Sequence, residues 1–185
     1  MYPTVLFVPG LRDHVADHWQ TLLAAEFPGS RTVAPLEHDK LSCATRVQAL
    51  DHAICDIDGP VVLAAHSAGC LMVAHWARTH DRPIAGALLA TPADVETPLP
   101  QGYPTFPELQ ANGWLPMPRA PLPFRTIVAA STNDPLCAFE RARGLADDWG
   151  SHLEDLGPVG HLNPAAGYGD WPHALDLITR LDTLP

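Results

Sequence analysis

The sequence predicts an α/β protein: one sheet of about six, mostly parallel strands with helices on both faces. Three observations predict it. Short β-rich runs alternate with longer stretches of helical period, the pattern left by strand-helix-strand crossovers. Two of those runs, Val61 to Ala65 and Thr126 to Ala130, are apolar almost throughout, as strands buried on both faces are. At 185 residues, 46% hydrophobic and 17% charged, the chain has the size and apolar content of one ordinary domain. Residues 1–185 are read as that single domain.

In chain order, strands are expected at Val5 to Val8, Arg31 to Ala34, Val61 to Ala65, Ile84 to Ala90, Thr126 to Ala130 and His152 to Leu156. Helical faces fall between them. Val15, Trp19, Leu22 and Leu23 share one; Val47, Leu50, Ile54 and Ile57 share a second, with Thr45 and Gln48 spaced as a capping box. Apolar residues surround the axis of Ala68 to Ala77, so that helix is expected to be buried. Phe139, Ala142, Ala146 and Trp149 form a further face, and Ala174, Leu175, Ile178 and Leu181 the last.

One stretch breaks the alternation. Nine of the 33 residues from Thr91 to Pro123 are Pro, which forbids a long helix or a central strand, though Phe106 to Asn112 has room for a short helical turn. A connection this long inside a compact domain is either a lid or pocket wall or a rigid Pro-braced surface link. Both readings stand at this point.

Charge and composition exclude several function classes. A net charge of −10, with only 11 Lys and Arg, argues against nucleic acid as partner, because such binding depends on basic side chains neutralising phosphates. No apolar run approaches the roughly 18 residues of a membrane span. Met1-Tyr2-Pro3-Thr4 leads straight into an apolar strand without a basic segment and cleavage site, so a cytoplasmic location is expected. Cys43, Cys55, Cys70 and Cys137 are scattered, with no C-x-x-C pair, and read as reduced structural thiols; no metal is expected. His14 and His18, four apart, lack the Glu of H-E-x-x-H, and no G-x-G-x-x-G follows a strand.

The chemistry centres on Ala65-His66-Ser67-Ala68-Gly69, placed where a strand turns into the buried helix. This matches the nucleophile elbow G-x-S-x-G with Ala for the first Gly. Small residues flank the serine there because its strained backbone brings strand and helix close together. A Ser that merely caps the following helix is the competing reading. A serine hydroxyl needs a base to take its proton and an acid to orient that base, and on such a sheet they follow as acid, then His, at later strand ends. Asp134, in Ser131-Thr132-Asn133-Asp134-Pro135, directly follows the fifth strand. His161, after Gly157-Pro158-Val159-Gly160, follows the sixth. For the oxyanion the expected donors are the backbone N–H groups of Ala68 and of Leu11, in the Pro9-Gly10-Leu11 loop after the first strand. Candidate substrate-binding residues are Trp19, Phe106 and Trp114, with Leu109 and Leu115.

On these residues the chain resembles the YdeN-like small serine hydrolases, the α/β-hydrolase family that includes the retinoblastoma-binding hydrolase. The resemblance rests on Pro9-Gly10, on His66-Ser67-x-Gly69-Cys70, on Ser131-x-Asn133-Asp134-Pro135 and on Gly160-His161-Leu162-Asn163 with Gly167-Tyr168-Gly169-Asp170-Trp171-Pro172. It implies a minimal α/β-hydrolase of strand order 2-1-3-4-5-6, a Ser67-Asp134-His161 triad, no cofactor, and a small acyl compound as substrate. Ala65 departs from the family's Gly, and Leu41-Ser42-Cys43-Ala44-Thr45 lacks the Glu of an L-x-C-x-E segment, so no protein partner is carried over. The expected activity is hydrolysis of esters or related acyl compounds. The rival is a non-catalytic binding module on the same fold.

Overall fold

The computed structural model describes residues 3–184. Met1 and Tyr2, read above as the lead into the first strand, lie outside the described residues. Six strands, β1 (Thr4–Val8), β2 (Arg31–Thr32), β3 (Val61–His66), β4 (Gly86–Ala90), β5 (Thr126–Ala130) and β6 (His152–Asp155), form one all-parallel sheet in the order β2-β1-β3-β4-β5-β6. The expected class and strand order are those observed. Side chains alternate across the sheet. Leu6, Leu63, Leu89 and Val128 face one layer, and Phe7, Val62, Leu88 and Ile127 the other.

Helices cover both faces. The first layer is packed by α2 (Cys43–Cys55), α3 (Ala68–Ala77) and α5 (Phe139–Trp149), the second by α1 (Trp19–Glu26) and α6 (His173–Arg180). Eight of the ten residues of α3 are buried, as its all-round apolar sequence requires.

β1, β3 and β6 differ from the sequence reading by one residue at an end, α1 starts at Trp19 rather than including Val15, and three further boundaries differ by more. β2 stops at Thr32, because an exposed edge strand has a partner on one side only; beyond it Val33 still donates its N–H to the Phe7 carbonyl at 3.0 Å. β4 begins at Gly86 rather than Ile84, although the Ala85 N–H already reaches the Val61 carbonyl at 2.8 Å. α2 is capped by Ser42, not by a Thr45 and Gln48 box: Ser42 Oγ accepts the Thr45 N–H at 3.3 Å, so Thr45 is already inside the first turn.

Segment 91–123 contains one short helix, α4 (Phe106–Ala111), closed by a capping box between Thr105 and Glu108. Its apolar residues Val95, Leu109, Trp114 and Met117 join the core over α2 and α3. Indole N–H groups pin it at two points, Trp114 Nε1 to the Leu41 carbonyl at 2.7 Å and Trp149 Nε1 to the Pro118 carbonyl at 2.9 Å. Arg141 grips Asp94 through two hydrogen bonds of 2.7 and 3.0 Å, while Arg119 bridges Glu96 and Asp148. The segment is strapped to α5 near its two ends and held between them by Trp114.

Candidate active site

Ser67 follows β3 at once and adopts φ 57°, ψ −126°, a conformation that costs a non-glycine residue about 1–3 kcal/mol. The sharp turn lays the start of α3 against the end of β1. A Cβ at Gly69 would lie 2.2 Å from the Val8 carbonyl oxygen and 2.9 Å from that of Pro9, so glycine is obligatory there. Ala65 meets no such demand, since it sits within the β3 ladder opposite Val8 and Leu89. That is why the first small residue of the motif tolerates a methyl and the second does not.

Asp134 lies just past β5 and His161 on the loop after β6. The structure brings both to Ser67. His161 Nδ1 is 2.8 and 3.0 Å from the two carboxylate oxygens of Asp134, and Nε2 is 2.9 Å from Ser67 Oγ. A carboxylate only accepts, so Nδ1 carries the proton and the Nε2 lone pair faces the serine hydroxyl. Both loops are fixed by further hydrogen bonds. Asn133 Oδ1 accepts the Gly160 N–H at 2.6 Å, tying one loop to the other, and Asp134 Oδ1 accepts the Leu136 N–H at 2.8 Å. Gly160, at φ 59°, has no room for a side chain: its Cβ would lie 2.7 Å from that of Ala166.

His66 and His18 extend the imidazole cluster, and sequence reasoning gave neither a role. Their rings are 4.5 Å apart, and His66 is 4.9 Å from His161. His66 Nε2 donates to the His161 carbonyl at 2.9 Å, holding the backbone of the loop whose side chain meets Ser67. Burial, reinforced by the neighbouring His161 and His18, pushes the His66 pKa well below the ordinary value. His18 caps α1, its Nδ1 accepting the Gln20 N–H at 3.2 Å. Burial first, then proximity to His161, lowers its pKa to about 4 against an opposing pull from Asp17. Both rings are neutral near pH 7. The signal available for His66 was a polar residue at the end of an otherwise apolar strand.

A cavity of about 390 Å³ opens over Ser67 and His161. Val95, Leu99, Tyr103, Leu109 and Trp114 wall it from segment 91–123, with Leu11 across from them. Leu109 and Trp114 thus fall where the sequence suggested. Trp19 and Phe106 do not. Trp19 is fully buried in the layer under α1 and α6, edge-on to Trp171 at 4.9 Å, and its neighbour His18 lines the cavity instead. Phe106 is 42% exposed at the start of α4, pointing its bulk away from the core that Leu109 enters. Leu115 packs at the margin of the core and is not part of the cavity wall. Leu11 and Ala68 both border the cavity, and among the described residues neither backbone N–H has an acceptor.

Cys43 and Cys137 are pushed up by burial to about 11 and about 12, and Cys70 well above its ordinary value, so these thiols stay protonated. Among the described residues no group of three or more His, Cys, Asp or Glu side chains is placed to hold a metal ion. His14 lies before α1 and shares no helix face with His18. Nor, among those residues, is any helix long and apolar enough to cross a membrane.

Comparison with known proteins shows the family and the fold. The family model described as serine hydrolase matches residues 5–180. A YdeN-like hydrolase structure from Pectobacterium atrosepticum is 32% identical, with a TM-score of 0.81, covering 96% of this chain and 91% of its own. The ydeN gene product of B. subtilis is 17% identical at TM-score 0.75, covering 99% of this chain and 100% of its own. Mouse α/β hydrolase domain-containing protein 10 is 14% identical at TM-score 0.72, with 99% and 89% covered. No curated protein matches the chain. With a match that spans nearly its whole length and a fold shared with α/β-hydrolases, the chain belongs to the serine hydrolase family.

Proposed function

We propose that the chain hydrolyses small esters or related acyl compounds through a covalent acyl-enzyme on Ser67. The observation that carries this reading is His161 bridging Ser67 Oγ at 2.9 Å and Asp134 at 2.8 Å, with the tautomer set by the carboxylate. Ser67 Oγ attacks the substrate carbonyl carbon as its proton passes to His161 Nε2. Asp134 holds the ring and offsets the positive charge it gains. The tetrahedral oxyanion receives the N–H groups of Ala68 and Leu11, each worth on the order of 3 kcal/mol of barrier. Collapse expels the alcohol, which takes the proton from His161. Water, deprotonated by the same nitrogen, then attacks the acyl-enzyme and releases the acid.

The cavity is at the small end of the range of about 300–1,000 Å³ for ligand sites, and its walls are mostly apolar. Short, uncharged acyl groups suit it. The test is turnover of p-nitrophenyl esters of increasing acyl length beside Ser67→Ala. The expected result is a loss of roughly 10³-fold or more in kcat in the variant, with kcat/KM falling for long chains. Equal turnover by variant and parent would overturn the assignment.

A further inference from the structure

Arg46, at the end of the first turn of α2, is only 2% exposed, yet it does not line the cavity. Burying a guanidinium costs several kcal/mol unless its donors are used, and here they are used on one short stretch of chain and its neighbour. Nη2 donates to the Leu11 carbonyl at 3.1 Å, Nη1 to Asp13 Oδ1 at 2.9 Å and, at the limit of 3.5 Å, to the Gly10 carbonyl, and Nε to the Lys40 carbonyl at 2.6 Å. The Gly10 carbonyl also accepts the Asp13 N–H at 3.1 Å.

This loop lies directly against Ser67. A Cβ on Gly10 would be 3.1 Å from Ser67 Cβ and 3.5 Å from Ser67 Oγ. In a trans peptide the N–H points opposite to the C=O of the same unit. Whatever fixes the Gly10 carbonyl therefore also aims the Leu11 N–H, which has no acceptor among the described residues. We infer that Arg46 is a positioning residue: by gripping the carbonyls of Gly10 and Leu11 and the Asp13 carboxylate, it holds the Gly10–Leu11 peptide with its N–H turned toward the oxyanion formed at Ser67. The inference rests on the acyl-transfer reading proposed above. It also explains why a buried cation stands on a helix face that apolar residues otherwise fill.

Arg46→Met and Arg46→Lys test it. Active sites are first counted by stoichiometric labelling of Ser67 with a fluorophosphonate, and thermal melting reports whether each variant is folded. Per labelled site, Arg46→Met is expected to lose about 10²-fold in kcat on a p-nitrophenyl ester, with KM changed by less than about threefold, the size of one missing oxyanion donor. Arg46→Lys, which can still bond one carbonyl, should recover part of that loss, and it keeps the test open if Arg46→Met does not fold. Affinity for benzeneboronic acid, whose serine adduct is tetrahedral, should fall in parallel with kcat/KM across the three proteins. A structural role alone would lower the melting temperature but leave kcat per labelled site and boronate affinity unchanged. That outcome in a folded variant overturns the positioning role. If instead Ser67→Ala turns over ester as fast as the parent, the acyl-transfer reading itself has failed, whatever Arg46 does.

Discussion

Two regions border the same cavity and are built in opposite ways. The strand-end rim carries Ser67, Asp134 and His161 within a few residues of the ends of β3, β5 and β6. Neighbouring parallel strands are in register there, Ala90 lying opposite both His66 and Ala129, so position in the sequence translates directly into position in space. Segment 91–123 has no such frame. What places it are scattered bonds across long separations, from side chains (Trp114 to Leu41, Trp149 to Pro118, Arg141 to Asp94) and from isolated backbone N–H groups (Cys43 to the Asn112 carbonyl, Leu122 to that of Trp149). The rim should therefore govern chemistry at little cost in stability, and the segment should govern stability and acyl fit at little cost in chemistry.

The largest expected effect is on the rim. Asp134→Asn keeps the shape of the side chain but offers His161 Nδ1 a donor as readily as an acceptor, so the imidazole loses its enforced tautomer. A fall in kcat on the order of 10⁴-fold is expected, as found when the acid of such a relay becomes an amide, with the melting temperature shifted by only a few degrees. Steady-state kinetics and a thermal melt check both halves. A loss below tenfold would mean that Asp134 does not set the state of His161, and the contrast between the regions would collapse from the rim side.

The next effect belongs to the segment. Trp114 is fully buried, bonds Leu41 and forms part of the cavity wall. Trp114→Ala should cost about 3–5 kcal/mol in urea denaturation, the range for a large aromatic removed from a core. In the folded fraction it should shift preference toward longer acyl chains, while kcat for the shortest ester stays within a few-fold. A variant of unchanged stability, or one whose kcat falls by orders of magnitude with KM unchanged, would show that the segment is not the fitted wall described here.

The same contrast explains what could be read from sequence. The strands and helices, the buried α3 and the placing of Ser67, Asp134 and His161 after their strands follow from period and chain order, which are local properties, whereas the sheet order β2-β1-β3-β4-β5-β6 is tertiary and is implied only by the family resemblance. Gly69 was legible as a small residue, although its reason, the 2.2 Å approach to Val8, is tertiary. Trp19 and Phe106 were assigned to the pocket because large apolar side chains look alike in sequence. Only the start of α1 at Trp19 and the outward face of α4 separate them from Trp114. Arg46, His66 and Asp94 act through backbone carbonyls or partners tens of residues away, and no spacing rule announces such pairs.

The smallest expected effect sets the two regions apart by pH. His18 has a folded-state pKa of about 4 against an ordinary value of 6.5. As pH drops through 6.5 the unfolded chain takes up a proton that the folded one refuses, so stability falls, and the loss levels off only below about pH 4, where both states are protonated. The full loss from this one ring is on the order of 3 kcal/mol. His66, lowered in the same direction, adds to it. Asp94 behaves oppositely. Burial alone would raise it, but hydrogen bonds from Arg141, the Glu96 N–H and the Thr97 hydroxyl outweigh burial and hold it below the usual carboxylate value, so its bond to Arg141 persists through the same pH window. Acidification from pH 7 to 4.5 should thus weaken the imidazole cluster beside Ser67 while the strap on segment 91–123 stays closed. His18→Asn, which keeps an N-cap acceptor but removes the titrating ring, should flatten the dependence of unfolding free energy on pH. Urea denaturation at intervals between pH 7 and 4.5 measures it, and identical slopes for variant and parent would sink the idea that a buried neutral imidazole makes the rim acid-sensitive.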